Sequence, residues 1–157
     1  MIDDAEFKRA MSHFASGVTV VTTEHEGTRY GMTVASFASL SLHPPLVLVC
    51  VEKSVKSHEA IAASRKFGVS ILAIDQADIS NRFASRVDDK FEGIETSRGA
   101  STGVPLLAGA LTAIECELRE QLPGGDHTIF VGEVVSITTG EGAPLVYYGS
   151  GYRELRA

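Results

Sequence analysis

The stretch ALTAIECELREQLPGGDHTIFVGEVVSIT, residues 110–138, decides the fold. It holds two long strand-like runs, 110–121 and 127–138, and between them only Leu122-Pro123-Gly124-Gly125-Asp126, a sequence of turn formers. A parallel pair would need a crossover of a dozen residues or more, so these runs must lie antiparallel across a tight turn. Working outward, a short strand at 145–148 follows, again with no helix in between. Upstream, Val18-Thr19-Val20-Val21-Thr22-Thr23 is β-branched throughout, and the polar turn 24–28 joins it to a second run at 30–37 in a hairpin. Pro44-Pro45 lacks ladder donors and marks the start of a strand at 46–51, with another at 67–74. Six or seven antiparallel strands with few helices predict a mainly β fold. Closure into a barrel would leave it without exposed edges.

Peripheral helices are expected at three places. Phe7, Ala10, Met11 and Phe14 recur at spacings of three and four, which predicts a helix over 3–14 with Phe7, Met11 and Phe14 in the core. A second helix, 57–63, has Ser57 as its cap, and a third occupies 77–85. Tyr147 and Tyr148 should pack at a strand end. Residues 86–104, rich in charge, Gly and Ser, read as a long surface loop. No repeat or linker interrupts the chain, so 1–157 is expected to be one domain.

The 157 residues are 44% hydrophobic and 22% charged, an ordinary globular balance that excludes disorder and fibrous repeats. A net charge of −6 lacks the positive footprint that nucleic acid or an anionic membrane surface demands, so neither is expected as a partner. The longest strongly apolar run, 46–51, falls far short of the roughly 20 residues that span a bilayer. The acidic start, Met1-Ile2-Asp3-Asp4-Ala5-Glu6, does not look like a secretory signal. Cys50 and Cys116 sit in strand-like runs without CxxC spacing, which supports neither a disulfide framework nor a metal site. A cytoplasmic location is expected.

Familiar catalytic motifs are missing. Gly149-Ser150-Gly151 precedes no helix and cannot be a Rossmann fingerprint, no Gly-Lys pair offers a Walker loop, and His25-Glu26 and His58-Glu59 both fail as HExxH. What remains are hydroxyls at strand ends, namely Thr33, Ser36, Ser39 and Ser41, then Ser54 and Ser57 interleaved with Lys53 and Lys56. Hydroxyls, helix N-terminal N–H groups and ammonium groups together hold phosphate in many proteins. The same residues equally well cap a helix and solvate a surface. His127, after Gly124-Gly125-Asp126, is either a rim residue satisfied by Asp126 or a group that meets a ligand.

Taken together, the order and spacing of these pieces resemble the short-chain flavin reductase family, the NAD(P)H:flavin oxidoreductase components of two-component flavin-dependent monooxygenases. The resemblance rests on FASGVTVVT at 14–22, GMTVASFASLS at 31–41, PPLV at 44–47, KSVKSH at 53–58, RFA at 82–84, and GGDH at 124–127 followed by FVGEV at 130–134. It implies an antiparallel Greek-key split β-barrel, the FMN-binding split barrel, with a few peripheral helices. It further implies FMN or FAD as the flavin, NADH or NADPH as co-substrate, a homodimer, and a separate monooxygenase that receives the reduced flavin. By this resemblance Thr33, Val34, Ala35 and Ser36 run beside the flavin, Ser39 and the backbone of Cys50, Val51 and Glu52 complete its contacts, and Ser57 and His58 lie near its phosphate. His127 and Tyr147-Tyr148-Gly149 would face the nicotinamide nucleotide, with Gly17 leaving room near the ring. Because hydride transfer belongs to the two cofactors, no catalytic acid, base or nucleophile is expected. Two other readings share the barrel: a flavin sensor or store with little turnover, and a carrier of a small apolar ligand without redox chemistry.

Overall fold

A computed structural model describes residues 1–155. The elements in chain order are α1 (Asp4–Met11), β1 (Ser16–Gly17), β2 (Thr19–His25), β3 (Thr28–Val34), β4 (Phe37–Ser41), β5 (Leu46–Glu52) and α2 (Lys56–Ser64). They continue with β6 (Lys66–Ile71), α3 (Ala77–Ala84), β7 (Thr96–Arg98), β8 (Pro105–Leu107), β9 (Thr112–Gly124), β10 (His127–Thr139), β11 (Val146–Tyr148) and β12 (Gly151–Arg153). The fold is mainly β, and every pairing is antiparallel.

The hairpin read from 110–138 is present, with His127 opposite Gly124 and the ladder running to Thr139 opposite Thr112. It forms the centre of a seven-stranded sheet in the order β3-β2-β6-β9-β10-β5-β4. Val34 of β3, Val21 of β2, Val49 of β5, Phe67 of β6, Cys116 of β9 and Phe130 of β10 all belong to one buried cluster. Strands from opposite ends of the sheet can share an interior only if the sheet is rolled around it. The expected closed barrel needs correction, however, because β3 and β4 are both edges and no ladder joins them. Ala35 and Ser36 break the second hairpin strand there, so what was read as one run at 30–37 ends at Val34 and resumes as β4. The barrel is split at the place where the chain crosses from one edge to the other.

Four further expectations are corrected. Phe7, Met11 and Phe14 are 58, 54 and 80% exposed, and α1 buries no residue. Its apolar stripe is real, but no other element among the described residues covers it. Ser57 does not cap α2: Val55 is the N-cap residue, and Ser57 lies buried within the first turn. Residues 86–104 are more than a surface loop, since Phe91 and Val104 are buried and β7 pairs with β8. The strand read at 67–74 is shorter, ending at Ile71. Among the described residues no helix is long and apolar enough to cross a membrane.

Glu115 anchors that segment. Its buried carboxylate accepts hydrogen bonds from Thr102 N at 2.6 Å, Thr102 Oγ1 at 2.7 Å and Ser101 N at 3.1 Å. Burial pushes its pKa up, but these donors and the Ser136 hydroxyl favour the charged form more, and the net shift is downward. A depressed carboxyl contributes stability in full above its unfolded value near 4.3, and that contribution is lost as pH falls through the lower folded value. Glu115→Gln should therefore cost about 2 kcal/mol at neutral pH. Urea titrations should show the two proteins converging below pH 4; a pH-independent gap would remove the charge from the explanation.

Candidate flavin and nucleotide site

The break at Ala35-Ser36 opens onto a cleft of about 480 Å³ lined by Val18, Thr33, Ala35, Asn81, Tyr147 and Tyr152 among others. Alternation along β3 turns Val34 into the core and leaves Thr33 and Ala35 on the cleft side. One wall is α3. The Thr33 hydroxyl donates to Ser80 O at 2.6 Å, and the Lys90 ammonium bridges Phe83 O (2.8 Å) and Gly31 O (3.2 Å), so α3 is fastened to β3 at both points. The other wall is the small sheet β1-β11-β12, in which Ser16 opposes Tyr147 and Gly17 opposes Val146. A Cβ at Gly17 would meet nothing within 4 Å, so open space lies beside it. Gly149 and Ser150 form the tight turn between β11 and β12, both at positive φ (59° and 61°), and Gly149 N donates to Ser12 O at 2.9 Å. Tyr147 packs edge-on against Tyr152, and Tyr148 against His13.

The remaining candidates gather around the end of β5. Ser36 is clamped to Cys50 in both directions, with Cys50 N donating to Ser36 O and Ser36 Oγ donating to Cys50 O, each at 3.1 Å. The Val51 side chain is buried, so only its backbone is available to a ligand. Ser39 sits exposed on β4 opposite Val47. Glu52 stands opposite His127, and its carboxylate accepts the Ser54 hydroxyl. Lys53 braces the neighbouring turn, its backbone N–H donating to Asp126 O and its ammonium to Gly125 O. A carbonyl does not neutralise that ammonium, so the positive charge persists at the mouth of the segment.

His127 donates from Nδ1 to the Asp126 carboxylate at 2.7 Å and leaves its exposed ring otherwise uncommitted. That bond and the histidine's charge hold Asp126 below the usual carboxylate range. His58 is half-buried, with Nε2 2.8 Å from Thr128 Oγ1 and its ring tilted over Phe130, which ties α2 to β10. The structure thus brings Thr33, Ala35 and Tyr147 into one cleft and sets Cys50, Glu52, Lys53 and His127 along the adjoining strand end. His127 and Tyr147 stand on different sheets. Burial pushes the Cys116 thiol up to about 12, leaving it inert at neutral pH.

Ser80, Asn81 and Tyr152 also line the cleft and were not legible beforehand. The only signal for Tyr152 was Gly149-Ser150-Gly151, which announces a hairpin turn and not a nucleotide loop. The face that α3 turns toward β3 is set by packing.

The rolled β sheet thus carries, at its split, a cleft lined by hydroxyls, aromatic edges and small side chains. Residues 11–156 match the model of the flavin reductase like domain. The chain is 43% identical over 147 residues to the reductase component of the 4-nitrophenol 4-monooxygenase/4-nitrocatechol 2-monooxygenase of Rhodococcus opacus, covering 94% of this chain and 78% of that one. It is 41% identical over 140 residues to an NADH-dependent FAD reductase of Streptomyces globisporus, covering 87% and 76%. The NADH:FAD oxidoreductase of S. globisporus C-1027 solved with NAD and FAD fragments superposes with a TM-score of 0.95 at 37% identity, over 98% of this chain and 93% of that one. The chain belongs to the flavin reductase family, the class of NAD(P)H:flavin oxidoreductases.

Proposed function

We propose that this protein oxidises NADH, passes the hydride to FMN or FAD, and releases the reduced flavin to a separate monooxygenase. One observation carries the site: the cleft at the split joins the strand end expected beside the flavin, Thr33 and Ala35, to Tyr147 from the segment expected beside the nicotinamide. Two flat rings stacked there need about 3–3.5 Å between reacting atoms, and the small side chain of Ala35 and the space beside Gly17 leave room for them. The bound flavin supplies the redox chemistry by accepting hydride from the reduced nicotinamide. The protein's part is positional. Val18, Ala35 and the tyrosines shield the rings from water, and the peptide groups from Cys50 to Glu52 run alongside the flavin chain. Lys53, Lys56 and the free N–H groups at the start of α2, with Ser57 and His58 in that turn, receive its phosphate. Steady-state NADH oxidation with added FMN and with added FAD tests the reading; tight flavin binding without turnover would leave a flavin store in its place.

His127 serves the nicotinamide nucleotide. Asp126 takes one ring nitrogen and orients the other, so His127→Ala should leave flavin affinity unchanged and raise the KM for NADH about tenfold, a loss of about 1.4 kcal/mol. Anaerobic stopped-flow bleaching of the flavin reads this step directly. Unaltered NADH dependence would reduce His127 to a partner of Asp126.

The functional unit is a homodimer. Leu46 pairs with Ser41 on one side and Glu133 on the other; Leu40 and Leu42 beside Ser41, and Val135 and Ile137 beyond Glu133, are all exposed. Beyond Glu133, Val134 N still donates to Pro45 O, but past it no described strand pairs with β10 on the β5 side, and the exposed Val135 and Ile137 side chains there offer an apolar surface for a second copy. Light scattering should give twice 16.7 kDa, and Ile137→Glu should shift the protein to monomer. A monomeric wild type sinks the proposal.

A further inference from the structure

The Tyr152 hydroxyl lies 2.7 Å from Ser80 Oγ and 2.9 Å from Asn81 Oδ1. A phenol has one proton. With that proton donated to the Asn81 carbonyl, the Ser80 hydroxyl donates to the phenol oxygen, and all three groups are satisfied. Ser80 is held in turn through its backbone carbonyl by Thr33, and Tyr152 through its ring by Tyr147. In the structure the Asn81 amide turns its oxygen to tyrosine, which leaves Nδ2 as its other end. Among the described residues its Nδ2 donates to no protein acceptor, although Asn81 lines the cleft.

We propose that Asn81 Nδ2 is a hydrogen-bond donor to a carbonyl oxygen on the bound ring ligand, and that Tyr152 is the residue that positions it. The chemistry recognised is an amide-type carbonyl attached to a flat heteroaromatic ring. Two sources in the proposed reaction carry one: the pyrimidine ring of the flavin and the carboxamide of the nicotinamide. An oriented amide has already given up its rotational freedom, so the bond forms at low entropic cost. A positioning residue acts only through the group it positions, and the measurable consequence is non-additivity. The inference rests on the flavin reductase reading for the identity of the two ligands.

The decisive set is Asn81→Ala, Asn81→Asp, Tyr152→Phe and the double variant Asn81→Ala with Tyr152→Phe, each measured for flavin affinity by fluorescence and for NADH KM and kcat. Asn81→Asp keeps an oxygen for Tyr152 and replaces the ligand-facing donor with an acceptor, so it should be the most damaging. Asn81→Ala and Tyr152→Phe should each weaken one ligand about tenfold with kcat changed less, and Tyr152→Phe should add nothing in the Asn81→Ala background. A raised flavin Kd assigns the carbonyl to the flavin. A raised NADH KM with unchanged flavin affinity assigns it to the nicotinamide. Wild-type values for both ligands in Asn81→Ala and Asn81→Asp overturn the proposal, as do additive losses accompanied by a lowered Tm, which would make the trio a scaffold only. If the wild-type protein binds flavin but does not oxidise NADH, the redox reading fails and the flavin Kd alone decides the inference.

Discussion

Ala35→Trp should abolish flavin-dependent NADH oxidation while leaving the protein folded. Ala35 is exposed between two strands and lines the cleft at the split, so the substitution adds an indole to solvent-facing space and strains no packed neighbour. The indole occupies the volume a flavin ring requires. A loss of flavin affinity of at least about a hundredfold is expected, equivalent to about 2.7 kcal/mol. Circular dichroism and Tm should stay at wild-type values, which separates occlusion from unfolding. A folded Ala35→Trp protein that titrates with flavin like the wild type would place the ring away from β3 and remove the central support for the proposed site.

Gly132→Val should be the most destabilising of these substitutions. Gly132 lies buried in β10 between Leu118 and Val47 on the two flanking strands, where a Cβ would stand 2.5 Å from Phe67 Cζ and 2.8 Å from Cys116 Cβ. Phe67 is itself fully buried and has nowhere to swing. The Cβ of Cys116 belongs to a strand in the same rolled sheet, so relief requires a shift of backbone. Overpacking of this kind costs about 3 kcal/mol, which in a domain of this size lowers Tm by roughly 10 °C. Thermal unfolding followed by circular dichroism measures it; a change of less than about 2 °C would mean the interior is looser than its contacts imply.

Much of the architecture is legible in the sequence because the signals for strands and turns are local. The turn at Gly125-Asp126 and the β-branched run at 18–23 specify strand pairs whatever the rest of the chain does. The helix expected at 77–85 is present as Ala77–Ala84. Local signals say that a helix has an apolar face without saying what covers it. The stripe of Phe7 and Met11 was legible, but its exposure was not, because burial depends on which surfaces the rest of the fold brings near. Ser57 carried the chemistry of a cap, yet the chain turned at Val55 and took Ser57, with Ala60 and Ile61, onto the buried face of the helix.

The candidate site divides along the same line. The hydroxyls and glycines of 31–41 and 124–127 stand out in the sequence because ligand-binding segments depart from simple alternation. Asn81, Ser80 and Tyr152 do not stand out, being ordinary residues on a helix and a hairpin whose meeting is 71 residues apart for Asn81 and Tyr152. The sequence by itself determined the strands, the tight turns and the antiparallel sense of the sheet, all of which follow from side-chain period and turn chemistry over a few residues. Only the tertiary structure decided that the barrel is split at Ala35-Ser36, which helix face meets the cleft and which polar groups are left free within it. Those outcomes depend on long-range packing, where each element's position is set by all the others at once.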